Sequence, residues 1–71
     1  MEVYVLEKCH LRTGRSEVLG VFENADVGMN TVKDVIWTDH INFWKTTAGS
    51  NGIIFYLYKF EVVLDEILIE K

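Results

Sequence analysis

The stretch IIFYLYKFEVVL, from Ile53 to Leu64, constrains this chain more than any other part of it. Only Lys59 and Glu61 are charged; the rest are aromatic or aliphatic. Successive side chains on a strand point to opposite faces. One face then carries Ile54, Tyr56, Tyr58, Phe60, Val62 and Leu64, and the other carries Ile53, Phe55, Leu57, Lys59, Glu61 and Val63. A strand with one side in water alternates apolar and polar residues. This one is apolar throughout on the first face and over most of the second, so both faces seek cover. A small domain buries only about 60% of its unfolded surface, and the pattern therefore predicts self-association, as a dimer, or a protein partner. It specifies no reaction.

The 71 residues form one predicted domain, residues 1–71, near the size at which a core holds without staples. Nearly half the residues are apolar, nine are aromatic and proline is absent, which is a globular composition. The single cysteine, Cys9, provides no internal disulfide and suits a reducing compartment. The opening MEVYVLEK has no basic and apolar leader pattern, and no apolar run reaches the ~20 residues of a membrane helix. These features predict a cytoplasmic protein with no membrane partner. Net charge is −4, and the only basic cluster is Lys8, Arg12 and Arg15. A phosphate backbone usually demands a larger basic footprint, so no nucleic acid is expected.

Along the chain, Glu2 to Leu11 reads as a strand with Val3, Val5 and Cys9 on one side and Tyr4 and Leu6 on the other. Arg12-Thr13-Gly14-Arg15 supplies a turn, with Gly14 free to adopt positive φ. Ser16 to Phe22 is a second strand, in which Gly20 signals a bulge or a close backbone approach. Asn24 is a helix N-cap, and apolar positions at Ala25, Met29, Val32 and Ile36 predict an amphipathic helix with one face on a sheet. Gly28 costs roughly 1 kcal/mol of helix propensity, a sacrifice that fits a close approach of helix to sheet. Residues 38–45 are compatible with a short helical turn or an ordered loop. Thr46 to Gly52 is a loop rich in turn residues. The long strand follows, then Asp65-Glu66 interrupts it before the apolar tail Ile67-Leu68-Ile69, which is long enough for a short terminal strand.

The expected fold is α+β: a mainly antiparallel sheet of three to four strands, in the spatial order 2-1-3, with one amphipathic helix on one face. Tyr4, Leu6, Tyr56, Tyr58 and Phe60 are the candidates for the open face.

Val3-Tyr4-Val5-Leu6-Glu7, Leu19-Gly20-Val21-Phe22, and Phe55-Tyr56 through Phe60-Glu61 followed by Asp65 resemble the motifs of a group of small uncharacterised domains from bacteria and their phages. Those domains open with a V-Y-V-L-E strand, continue through an I/L-G-V-F/Y strand and an alanine-rich helix, and close with an F-Y-x-x-x-Y/F-E strand. Gly28 departs from the alanine usual there, and residues 37–51 follow no part of the pattern. The resemblance implies a β-β-α-β fold and a phage or prophage setting, and carries no activity with it.

Candidate chemistry is sparse. Asp39-His40 has the residue types of a general acid–base pair, but sequence neighbours seldom face one another and no nucleophile accompanies them. Cys9 and His10 fall on opposite faces of a strand, and one cysteine with two histidines gives no zinc spacing. The Gly49-Ser50-Asn51-Gly52 loop lacks the lysine and following helix of a phosphate cradle. No catalytic residue, cofactor or metal is expected.

Trp37, Phe43 and Trp44 crowd large rings into the least regular part of the chain. They plug the ends of a small core or belong to a binding surface, where such rings are enriched. With Tyr56 and Tyr58 they form the candidate partner-binding set. The expected function is that of a non-enzymatic small interaction protein, phage-encoded, binding a host or self protein through this aromatic surface. The alternative is an oligomer that holds a nucleotide-like ligand between subunits with Trp37, Trp44, Arg12 and Arg15.

Overall fold

The computed structural model describes residues 1–62, arranged as five strands and one short helix. In chain order these are β1 (Glu2–His10), β2 (Arg15–Phe22), α1 (Ala25–Asn30), β3 (Trp37–Asp39), β4 (Phe43–Thr46) and β5 (Ile53–Glu61). The strands form one sheet in the order β2-β1-β5-β4-β3, and every neighbouring pair is antiparallel. The long strand is thus the middle of the sheet. Val63, Leu64, the Asp65-Glu66 interruption and the tail Ile67 to Ile69 lie outside the described residues.

Three expectations are corrected. The sheet has five strands rather than three to four, so the order 2-1-3 gives way to β2-β1-β5-β4-β3 and the fold is mostly β. Residues 38–45 form neither helical turn nor loop: they belong to the β3–β4 hairpin, closed by the His40 N–H donating to the Phe43 carbonyl at 2.9 Å. The helix ends at Asn30 instead of running to Ile36, which is 80% exposed. Its cap is as expected, since the Asn24 side chain accepts from the Asp26 N–H at 2.9 Å. It stops because Thr31 and Val32 are β-branched poor helix formers. The Thr31 hydroxyl turns back to the Val27 carbonyl at 3.0 Å, and Asp34 adopts φ 61°.

The core centres on one cross-strand pair. Leu6 of β1 lies opposite Leu57 of β5, and both are 0% exposed. Trp44 continues the row on β4 and Gly20 on β2. The α1 segment lies over β1, β2 and β5 on this side. Gly28 brings it close: a methyl group built there would lie 2.9 Å from Leu57 Cδ1 and 3.2 Å from Phe22 Cδ2.

The register also shows which side the crossover covers. The connection from β2 to β3 runs from one edge of the sheet to the other and carries α1 across one face on the way. Among the described residues no segment crosses the opposite face. No helix among them is long and apolar enough to cross a membrane.

Leu57→Ala should lower unfolding stability by about 2–5 kcal/mol, the cost of a buried leucine truncation, as measured by urea denaturation. Gly28→Ala gains helix propensity of roughly 1 kcal/mol yet presses a methyl into the packed leucine, for which overpacking costs about 1–3 kcal/mol. The expected result is a lower melting temperature; a higher one would mean that α1 rides free of the sheet.

Candidate interaction face on the uncovered side of the sheet

Strand alternation and the pairing register place a defined set of side chains on the uncovered face. One row across the sheet reads Val21, Val5, Tyr58 and Phe43, and the next reads Val18, Glu7, Tyr56, Lys45 and Thr38. Val3 and Phe60 lie beyond the first row, and Ser16, Cys9 and Ile54 beyond the second. The rings form a continuous ladder. Tyr56 and Tyr58 stack at 5.5 Å between centroids with planes 8° apart. Phe43 sits 5.9 Å from Tyr58 and 6.2 Å from Tyr56, and Phe60 follows Tyr58 at 6.3 Å. At the other end His40 lies flat on Phe43 at 4.6 Å. Such ring pairs contribute about 0.5–1.5 kcal/mol each beyond their burial. The rings of the ladder therefore brace one another laterally.

Phe43, Tyr56 and Tyr58 are half-buried, and the face is most open at its margins among the described residues. Phe60 is 52% exposed and Val21 61% exposed, with Val18 similarly open. Phe60, Val18 and Val21 are thus the open apolar side chains of this face.

Beside the charged Glu7 and Lys45, the face carries two weak acids, Cys9 and Tyr58, that favour their neutral forms. The Cys9 thiol donates to Glu7 Oε1 at 3.7 Å. Burial, then the Glu7 charge, push that thiol above its ordinary value, so the reactive thiolate is disfavoured. Burial, followed by the Glu7 carboxylate, likewise raises the Tyr58 phenol. Neither group is primed as a nucleophile.

Of the residues marked in the sequence, the structure brings Phe43, Tyr56 and Tyr58 together on the uncovered face. Trp37 and Trp44 lie on the opposite face, Trp44 with its ring 6.0 Å from Tyr4. The cause is alternation along β4, where Phe43 and Trp44 are adjacent and must point apart. Tyr4 and Leu6 also move to the covered side, since Leu6 pairs with Leu57 while Val5 pairs with Tyr58. Val5, Val21, Glu7 and Lys45 were not marked. Their signal is the alternation of β1 once its register with β5 is fixed. Arg15 on β2 and Trp37 on β3 stand at opposite edges of the sheet, so a nucleotide pocket using both does not form within one chain. Asp39 and His40 do not hydrogen-bond to one another, and the imidazole is committed to Phe43.

Among the described residues no three His, Cys, Asp or Glu side chains converge to hold a metal ion. Comparison of the chain with protein-family models, curated proteins and solved structures returns no match.

The raised thiol and phenol make stability pH-dependent with a definite sign. Each group favours its neutral form in the fold, so its contribution is complete below the unfolded values, about 8.5 for cysteine and about 10 for tyrosine. It is lost as pH rises through the folded values. Thermal melts should fall more steeply with pH above about 10 in the native sequence than in Tyr58→Phe. Parallel curves would show that the phenol sits in ordinary solvent.

Proposed function

We propose that this chain is a non-enzymatic interaction protein, and that the uncovered sheet face is its docking surface for a host protein or a second copy. The observation that carries this reading is the ladder of His40, Phe43, Tyr56, Tyr58 and Phe60, bordered by Val3, Val5, Val18 and Val21, on a face that no described segment covers. A rigid aromatic platform with few charges is what a protein partner desolvates most readily. A cytoplasmic setting, in a phage or prophage, belongs to the same proposal; the second half of it draws on the motif resemblance.

Hydroxyl-radical footprinting in host lysate and in concentrated pure protein tests the reading independently of which partner binds. Ile41 at the β3–β4 turn, 93% exposed, serves as the internal reference. Phe43, Tyr56, Tyr58 and Phe60 should oxidise several-fold more slowly than in dilute buffer, while Ile41 is unchanged. Tyr58→Asp, which places a charge in the middle of the ladder, should remove the protection. Ring oxidation at the dilute-buffer rate under both conditions would refute a docking face.

A further inference from the structure

We propose that the occupant of the uncovered face is a second copy of this chain, packed face to face about a two-fold axis running along β5, so that Glu7 of each copy meets the partner's Lys45. This rests on the docking-face reading above and adds a partner and a register to it.

The charges single out that arrangement. Among the strand-paired residues of the uncovered face, Glu7 and Lys45 are the only charged ones. They occupy one row, on either side of Tyr56, because Glu7 pairs with Tyr56 and Tyr56 with Lys45. Two strand spacings, about 10 Å, separate them. The two ion pairs among the described residues, Met1 with Glu61 and Lys59 with Glu2, involve neither. Both side chains are half-buried, so each would be desolvated further by any occupant. Glu7 accepts from the Cys9 thiol, a weak donor that leaves its charge uncompensated, and a covered charge without an ionic partner is costly.

A two-fold axis along the central strand exchanges the two halves of the face. It sets Glu7 over the partner's Lys45 and Lys45 over the partner's Glu7, compensating both charges twice in each dimer. Val5 then covers the partner's Phe43, and Tyr56 and Tyr58 meet their own copies. An axis across the strands behaves differently. Passed through the Tyr56 row it places Glu7 on the partner's Glu7 and Lys45 on the partner's Lys45; passed through the Tyr58 row it leaves Glu7 against the partner's Val3. Only the axis along β5 satisfies the charges, and β5 is the third of five strands, where a two-fold must run if the whole face is to be used. The area suffices. Strands of nine, eight, three, four and nine residues, at about 3.3 Å per residue and about 4.8 Å spacing, present roughly 520 Å² per copy, and roughly 1,050 Å² in total meets the roughly 1,000 Å² that a specific interface needs. Sheets packed this way keep their strands within about 30° and lie about 10 Å apart, filled by side chains of this size.

The test is a charge exchange between copies, read by light scattering and native mass spectrometry. The native chain should be a dimer at micromolar concentration. Glu7→Lys and Lys45→Glu should each dimerise at least about tenfold more weakly, since each sets two like-charge pairs face to face. An equimolar mixture of the two variants should form a heterodimer, because both cross-copy pairs are then opposite in sign; a charge contact within one chain cannot be rescued by mixing. If a reversal unfolds the chain, Glu7→Gln and Lys45→Gln take its place, and each must weaken the dimer. A native dimer indifferent to these changes, or variants that mixing does not rescue, overturns the register and leaves the docking face standing. A native monomer whose rings are still protected in lysate overturns the second copy as occupant. A monomer with unprotected rings removes both readings.

Discussion

The Leu6–Leu57 pair under Gly28 is the contact on which the rest of the molecule depends. Those two side chains are the only large ones sealed completely among the described residues, and they join strands more than forty residues apart in sequence. Their position sets the register between β1 and β5, and period-two alternation does the rest. With Leu6 turned inward, Val5 and Glu7 must turn outward; with Leu57 inward, Tyr56 and Tyr58 must follow them. The composition of the outer face is a consequence of where the inner leucines meet.

Among the described residues one crossover spans the sheet, and it lies on the leucine side. The crossover carries only six helical residues, and a glycine where α1 meets the sheet. A larger residue would hold the helix off and open the leucine pair to water. The opposite side is left with rings that support one another laterally. Ring-on-ring contact braces that side laterally, and among the described residues nothing lies across it.

Local signals in the sequence were read at the resolution that local physics allows. Gly14 adopts φ 73° at the expected turn, Asn24 caps the helix, and Gly28 marks the close approach. The β3–β4 hairpin was not legible, because strands of three and four residues show too few alternations to separate them from a turn. Helix length was misjudged for a related reason: the spacing of Val32 and Ile36 fits a helix, but β-branching and the Thr31 hydroxyl act against it. The candidate site was half legible. Aromatic content pointed to Phe43, Tyr56 and Tyr58, but the separation from Trp37 and Trp44 depends on a long-range register that no short window contains. Thr46, buried with its hydroxyl accepting from the Phe55 N–H at 3.0 Å, read as the start of a loop and proved to be the end of a strand.

The irregularity in β2 has a bearing on how the rims of the sheet pair with other strands. Leu6 pairs with Gly20 and Glu7 with Val18, so Leu19 is an extra residue that breaks the ladder at an outer strand. The opposite rim is β3, with three residues. Among the described residues neither rim presents a long straight row of strand amides, and so neither is a good template for cross-β stacking. Growth sideways into fibrils is discouraged at both rims, even though exposed valines line one of them.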